Sequence, residues 1–240
     1  MQMTAIQFTD VSYQVNDQKI ISHITGSFQK GKITALVGPS GAGKTTLLKL
    51  CNGLISPTSG AIEINGEKST QIAPTILRRT VGIALQDAPI IKGSVYENLS
   101  LPLTLQQKTL RKQKAIELLE EVGLNQNLLN QNAAELSGGQ RQKLSLARTL
   151  VNASSILLLD EITSSLDVHS TKEIEQLIQS INEKYGTTII WITHNLEQAK
   201  KVGHDAWLLK DGAVVETGSI DLLNTSENPI TQQFIKGELA

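Results

Sequence analysis

Uninterrupted apolar runs alternate along this chain with stretches whose apolar positions recur every three or four residues. The runs are "ITALV", "VGIAL", "ILLL" and "TTIIWIT". Strands written this way are covered on both faces, as in a parallel sheet flanked by helices. Val168 to Tyr185 carries the helical period and predicts Ile174, Leu177, Ile178, Ile181 and Tyr185 on one buried face. The opening differs. There "AIQFTDVSYQV" and "KIISHITGSF" are β-branched and roughly alternating, and Lys30-Gly31 turns the chain into "ITALV". That predicts a small antiparallel β region feeding a core strand. Between Gln86 and Leu136 the strand signals vanish, and "QKTLRKQKAIELLEEVGL" with its flanks reads as helical, its charges on a solvated side. At the carboxyl end "AWLLKDGAVVETG" reads as a hairpin turned at Asp-Gly, with short helices after it. The prediction is an α/β fold in one domain, 1–240. Residues 1–86 hold the antiparallel β subdomain and the first part of a mainly parallel core, 87–155 an inserted α-helical subdomain, and 156–240 the rest of the core.

A chain of 240 residues suits one domain with a sub-lobe. With 22 basic and 23 acidic side chains the net charge is -1, which provides no field to draw in nucleic acid or an anionic bilayer. No nucleic-acid partner and no lipid insertion are expected, and membrane contact is expected only through another protein. The single Cys51 follows "KTTLLKL" on an apolar helix face; it excludes an internal disulfide and reads as a buried small hydrophobe in a cytoplasmic setting. "MQMTAIQFTD" has neither the basic nor the apolar region of a secretory signal, and the apolar runs fall far short of the roughly 18–20 residues that span a bilayer. A soluble chain is predicted.

The chemistry gathers where strands end. "GPSGAGKT", residues 38–45, lies between the strand "ITALVG" and the helix "TTLLKLCNG", the setting of a phosphate loop, and predicts ATP or GTP binding on a P-loop NTPase core. Gly38, Pro39, Ser40, Gly41, Ala42 and Gly43 form the loop, and Thr46 continues its helix. Bare amides from Gly41 to Thr45 suit an anion-binding nest. Lys44 is predicted to reach the β- and γ-phosphates, and the Thr45 hydroxyl to ligate Mg²⁺. "ILLLDE" ends a buried strand in two carboxylates, at the strand edge where open α/β sheets place ligands. Asp160 is predicted in the Mg²⁺ shell, and Glu161 as the group that orients or deprotonates the attacking water. "VGIAL" leads to Gln86 and "TTIIWIT" to His194, so four core strands deliver polar groups to one edge, where Gln86 and His194 are expected around the γ-phosphate.

One stretch is left over. "AELSGGQRQKLSLARTL", residues 134–150, opens a second helix on two glycines, far in sequence from the first cradle. Ser137 there is either a plain N-cap or part of a second anion socket.

The ordered set of Tyr13, the phosphate loop 38–45, Gln86, "LSGGQ" 136–140, "ILLLDE" 156–161, "SSLD" 164–167 and His194 resembles the nucleotide-binding subunit of ATP-binding-cassette (ABC) transporters over essentially the whole chain. The resemblance implies an ATPase that uses ATP and Mg²⁺ and works as a head-to-tail homodimer, peripheral on the inner face of the cell membrane through an integral permease. It further implies that Tyr13 stacks on adenine, and that Ser137, Gly138, Gly139 and Gln140 close over the nucleotide of the other copy. Asp167 would lie in the loop linking the two sites. Gln86 would join the metal shell and, with the lobe after it, receive a short permease helix. Where the family commonly reads Asp-Glu-Pro-Thr-Ser-Ala-Leu-Asp this chain has "DEITSSLD", with Ile162 and Ser165; with "LISPTSG" and "NAAELSGGQRQKLSL" this is similar to an iron-exporting (FetA-like) bacterial subgroup. The alternative is a non-transport relative acting on nucleic acid or ribosomes, against which stand the near-neutral charge and single cassette. A small-molecule phosphoryl-transfer kinase would leave "LSGGQ" and His194 without roles.

Overall fold

A computed structural model describes residues 3–239; Met1, Gln2 and Ala240, the ends of the expected domain, lie outside the described residues. The strands are β1 (Thr4–Val15), β2 (Gln18–Gln29), β3 (Ile33–Val37), β4 (Ser59–Ile64), β5 (Glu67–Lys68), β6 (Val81–Ala84), β7 (Ile156–Asp160), β8 (Thr188–Ile192), β9 (Asp205–Lys210) and β10 (Ala213–Ser219). The helices are α1 (Lys44–Cys51), α2 (Pro74–Thr80), α3 (Val95–Thr104), α4 (Lys112–Glu121), α5 (Gly138–Leu150), α6 (Val168–Tyr185), α7 (Leu196–Val202), α8 (Leu222–Thr225) and α9 (Pro229–Ile235). Two sheets form: an antiparallel one in the order β2-β1-β4-β5, and a six-stranded one in the order β10-β9-β3-β8-β7-β6. In the second, β9, β3, β8, β7 and β6 run parallel and only β10 is antiparallel.

The unbroken apolar runs follow from this layering, because successive residues of one strand enter different cores. Ile156 and Leu158 of β7 pack with Leu47, Leu48 and Cys51 of α1 and with Phe8 of the antiparallel sheet. Leu157 and Leu159 pack with Leu144 and Ala147 of α5 and Ile174 and Ile178 of α6. Each such burial contributes about 1.5–3 kcal/mol, so neither face of β7 tolerates a polar residue. The two sheets are joined by aromatic contacts, with Phe28 4.5 Å and Phe8 5.9 Å from Trp207 between ring centroids. Helices α3, α4 and α5 carry Leu99, Leu118, Leu119 and Leu144 into the second of these cores, so the lobe rests on the parallel sheet. Cys51 is fully buried, and burial pushes its thiol pKa well up.

Two differences from the sequence reading stand out. Strands β4 and β5 and helix α2, unpredicted, extend the antiparallel sheet from β1 and lead the chain to β6. Tyr185 leaves the buried set of Ile174, Leu177, Ile178 and Ile181 and is half exposed, as the last residue of α6 before its C-cap Gly186. Its hydroxyl donates instead to Glu121 at the end of α4. Among the described residues no helix is long and apolar enough to cross a membrane.

Candidate active site

The parallel register brings the predicted groups to one edge. Leu36 of β3 and Asp160 of β7 both lie beside Ile192 of β8, and Ala84 of β6 lies beside Leu159. The chain therefore leaves four neighbouring strands at the same level, into Gly38, Gln86, Glu161 and His194.

The phosphate loop is built for backbone rather than side chains. A Cβ on Gly38 would stand 2.0 Å from the Leu209 carbonyl oxygen, and Gly43 has φ +93° with Ile21 Cδ1 2.8 Å from where its Cβ would be. Gly43 also N-caps α1 without any side-chain acceptor, so the amides of Lys44, Thr45 and Thr46 have no partner within the helix. Ser40 and Gly41 are exposed, Ala42 is buried, and the Ala42 amide donates to the Pro39 carbonyl. Lys44 is buried, and its Nζ donates to the carbonyls of Gly38 at 2.7 Å and Pro39 at 2.8 Å. Burial pulls the Lys44 pKa down against the opposing pull of Glu161 and Asp160.

Thr45 Oγ1 donates to Asp160 Oδ1 at 3.1 Å, which joins the first turn of α1 to the end of β7. Burial pushes the Asp160 carboxyl up, the Thr45 bond pulls against it, and the neighbouring Glu161 carboxylate adds to the rise. The lysine and the aspartate thus carry charges the fold leaves undercompensated. A phosphate chain at Lys44 and a divalent cation at Asp160 would favour the charged form of each. Among the described residues no three His, Cys, Asp or Glu side chains form a closed metal cluster. Magnesium needs only one or two carboxylates when phosphates supply the rest, so Asp160 and Thr45 fit it.

Beyond Asp160 the backbone turns sharply: Glu161 has φ +50°, and its amide donates to the Ile192 carbonyl at 3.1 Å. A non-glycine residue held there stores strain and marks a site where the surroundings fix the geometry. Glu161 Oε1 lies 2.5 Å from His194 Nε2, so carboxylate and imidazole form one unit. Ile162, where the family commonly has proline, is fully buried in the core under α6. A cleft of about 890 Å³ opens from Glu161 and His194 between α6 and α7.

The other predicted residues divide. Tyr13 is half-buried on β1 opposite Ile21, the side chain that meets the phosphate loop at Gly43. Gln86 has an exposed side chain and makes no hydrogen bond to Thr45 or Asp160 in this structure; its backbone carbonyl accepts from Gln142 Nε2 of α5. Ser137 is the N-cap of α5 in a closed capping box, its hydroxyl accepting from the Gln140 amide while the Gln140 side chain accepts from the Ser137 amide. Gly138 and Gly139 follow, exposed and half-buried, against Leu166 and Ser170. Asp167 N-caps α6, accepting from the amides of His169 and Ser170 at 2.9 Å and the Ser170 hydroxyl at 2.7 Å. Bonding from Ser170 above all holds its carboxyl below the usual aspartate range. Ser137, Gly139 and Gln140 line a separate cavity with Lys143 and Glu173. Sequence reasoning missed Gln142 and Gln198, both buried polar side chains on helices.

The ABC transporter family profile matches residues 21–164. The chain is 43% identical to YjkB of Bacillus subtilis (strain 168), over 97% of this chain and 94% of that one. It is 34% identical to the methionine import ATP-binding protein MetN 2 of Staphylococcus epidermidis, over 95% of this chain and 69% of that protein. Among solved structures, a dimeric post-hydrolysis state of the ATP-binding cassette MJ0796 bound to ADP and Pi aligns with TM-score 0.80 and 28% identity, over 90% of this chain and 98% of that chain.

Proposed function

The chain belongs to the ABC transporter family, and from that premise we propose that it drives a separate membrane permease by ATP-dependent, head-to-tail pairing of two copies. It is an ATP-binding subunit and an ATPase, and its ligands are ATP and Mg²⁺. The observation that carries the pairing is the separation of two glycine-led helix starts. One lies at the sheet edge beside Asp160 and Glu161, and the other rests against the start of α6, lining a cavity of its own. A single nucleotide needs one cradle; the second is free for the nucleotide of the other copy. The solved MJ0796 cassette is described as a dimer.

In this reading the amides of Gly41 to Thr46 and the Lys44 ammonium hold the phosphates, Thr45 and Asp160 hold the cation with Gln86, and Tyr13 stacks on the base. When bound, the cation would supply charge neutralisation to the phosphates. Glu161 orients the attacking water and takes its proton, and His194, already bonded to Glu161, steadies that carboxylate beside the γ-phosphate. Ser137, Gly138, Gly139 and Gln140 meet the other copy's γ-phosphate, so binding of ATP draws two copies together and hydrolysis releases them. Asp167, fixed by its capping bonds, connects the two sites through the loop before α6.

The permease would place the subunit at the cytoplasmic face of the membrane, with Gln86 and the lobe of α3 to α5 as the contact. The division into the β-bearing 1–86, the lobe 87–155 and the remaining core 156–240 belongs to the same proposal, with the lobe moving against the core. Cargo and direction belong to the permease. The wording of "DEITSSLD" favours iron export, whereas the relative MetN 2 is named for methionine import. The test is to solubilise membranes of the native host in mild detergent and identify what co-purifies with the tagged chain. A multi-span protein in stoichiometric amount supports the transporter reading, and cellular metal content and methionine uptake then separate the two cargoes. Ribosomes or nucleic acid in its place would make the non-transport relative the correct reading.

A further inference from the structure

We propose that Gln198 is a positioning residue for hydrolysis, because its single carboxamide oxygen ties together the two segments that present Glu161 and His194. Gln198 sits on α7 and is 8% exposed. Its Oε1 accepts from Thr193 Oγ1 at 2.8 Å and from Thr163 Oγ1 at 3.3 Å. Thr193 immediately precedes His194, and Thr163 stands two residues after Glu161, so one acceptor spans both strand exits. Thr193 Oγ1 in turn accepts from the Asn195 amide at 3.1 Å, and Asn195 Oδ1 caps α7 at the amides of Glu197 and Gln198. The bonds close into a ring, Thr193 to Asn195 to Gln198 and back to Thr193.

Thr163 and Thr193 are also buried, and hydrogen bonds shielded from water hold their partners more stiffly than exposed ones. The neighbours of Gln198 on the buried side of α7, Ala199 and Val202, are apolar. An apolar residue at 198 would fill the space without joining the strand ends. Glu161 needs such support: its φ of +50° persists only if the surroundings over-determine it. The bond from the Glu161 amide to the Ile192 carbonyl fixes one side of the turn, and Gln198 fixes the other through Thr163. The ring lies at the wall of the cleft that Glu161 and His194 share with Gln198, so it can adjust their separation without touching nucleotide.

The inference rests on the roles proposed above for Glu161 and His194. The test is steady-state ATPase of the full chain carrying Gln198→Met, Gln198→Glu, Thr163→Val or Thr193→Val, with Glu161→Gln as the control for the site itself. Gln198→Met removes both bonds to Oε1 and is expected to lower kcat about tenfold, with KM for ATP unchanged. Gln198→Glu keeps an accepting oxygen and is expected to regain most of the loss. Thr193→Val alone should lower kcat, yet cost little further in the Gln198→Met background, because both act through the same oxygen. Should Gln198→Met fail to fold, the two threonine variants carry the test, and unchanged kcat in both overturns the proposal. It is equally overturned if Met and Glu at 198 are impaired alike, which would mean packing rather than the acceptor matters. Wild-type turnover in Glu161→Gln would remove the site reading itself, whereas an inactive Glu161→Gln beside a fully active Gln198→Met removes only this inference.

Discussion

The two glycines that open α5 look identical in sequence and do different work in the fold, and alanine at each separates them. A Cβ on Gly138 would meet nothing nearer than Leu166 Cδ2 at 3.7 Å, an ordinary contact, on an exposed residue. A Cβ on Gly139 would stand 2.8 Å from Ser170 Oγ and 3.1 Å from Ser170 Cβ. Ser170 cannot simply swing away, because its hydroxyl and its amide both bond the Asp167 carboxylate. Alanine favours a helix over glycine by up to about 1 kcal/mol, less in the first turn, and that gain is common to both sites. The difference between the variants therefore isolates the clash, and overpacking of this kind costs about 1–3 kcal/mol. Urea unfolding should place Gly138→Ala at or above the wild type and Gly139→Ala about 1–3 kcal/mol below Gly138→Ala. ATPase activity should nonetheless fall in Gly138→Ala, since on the proposed pairing the bare amide it covers serves the other copy's phosphate and not the fold. Equal stability of the two variants would refute the packing argument. Full activity in Gly138→Ala would refute the claim that its bareness serves a ligand.

Glu161→Gln keeps the size and the acceptor oxygen of the side chain but cannot take a proton; turnover should fall at least roughly a hundredfold while ATP binding persists. With hydrolysis blocked, the same variant should move from monomer to dimer mass in light scattering as ATP is added, and a monomeric mass at saturating ATP counts against pairing. The joint between lobe and core should show in acid. Burial raises the Glu121 carboxyl pKa, but hydrogen bonds from Tyr185 and Lys184 outweigh it and hold the group below the ordinary glutamate value. A depressed acid contributes stability that is present above its unfolded pKa and lost as pH falls through the folded one. Glu121→Gln should therefore lower the urea midpoint at neutral pH and converge with the wild type in acid; a gap that stays constant with pH would assign the loss to packing.

The sequence made the chemistry legible where residue type alone dictates it. "GPSGAGKT" needs its glycines because Gly38 passes beneath the Leu209 carbonyl and Gly43 takes a left-handed turn, and no other residue fits either place. The core strands were equally plain, since burial on both faces leaves apolar residues as the only choice at Ile156 to Leu159. What stayed hidden depends on where a helix packs. Gln142 and Gln198 look like solvated positions of amphipathic helices, and only docking of α5 and α7 on the strand ends turns them inward. Tyr185 fails for the opposite reason: the period continues to it, but as the last residue of α6 it turns out to Glu121. Strand β4, "SGAIEI", gains its place from pairing with β1 across the intervening β2, β3 and α1, which no local pattern announces.

The two helix starts differ in how much of their backbone is already used, and that difference orders the events of the proposed cycle. At α1 no side chain caps the first turn, so Lys44, Thr45 and Thr46 offer their amides together with a lysine ammonium and a carboxylate for the cation. At α5 the capping box consumes the amides of Ser137 and Gln140, leaving those of Gly138 and Gly139. A partly capped helix end attracts an anion by about 0.3–1 kcal/mol, too little to recruit a nucleotide from solution. Such a socket becomes useful only when the nucleotide is already held and brought to it by another copy. The first cradle therefore fills alone, the second engages only through pairing, and loss of the γ-phosphate removes the one group that both copies share.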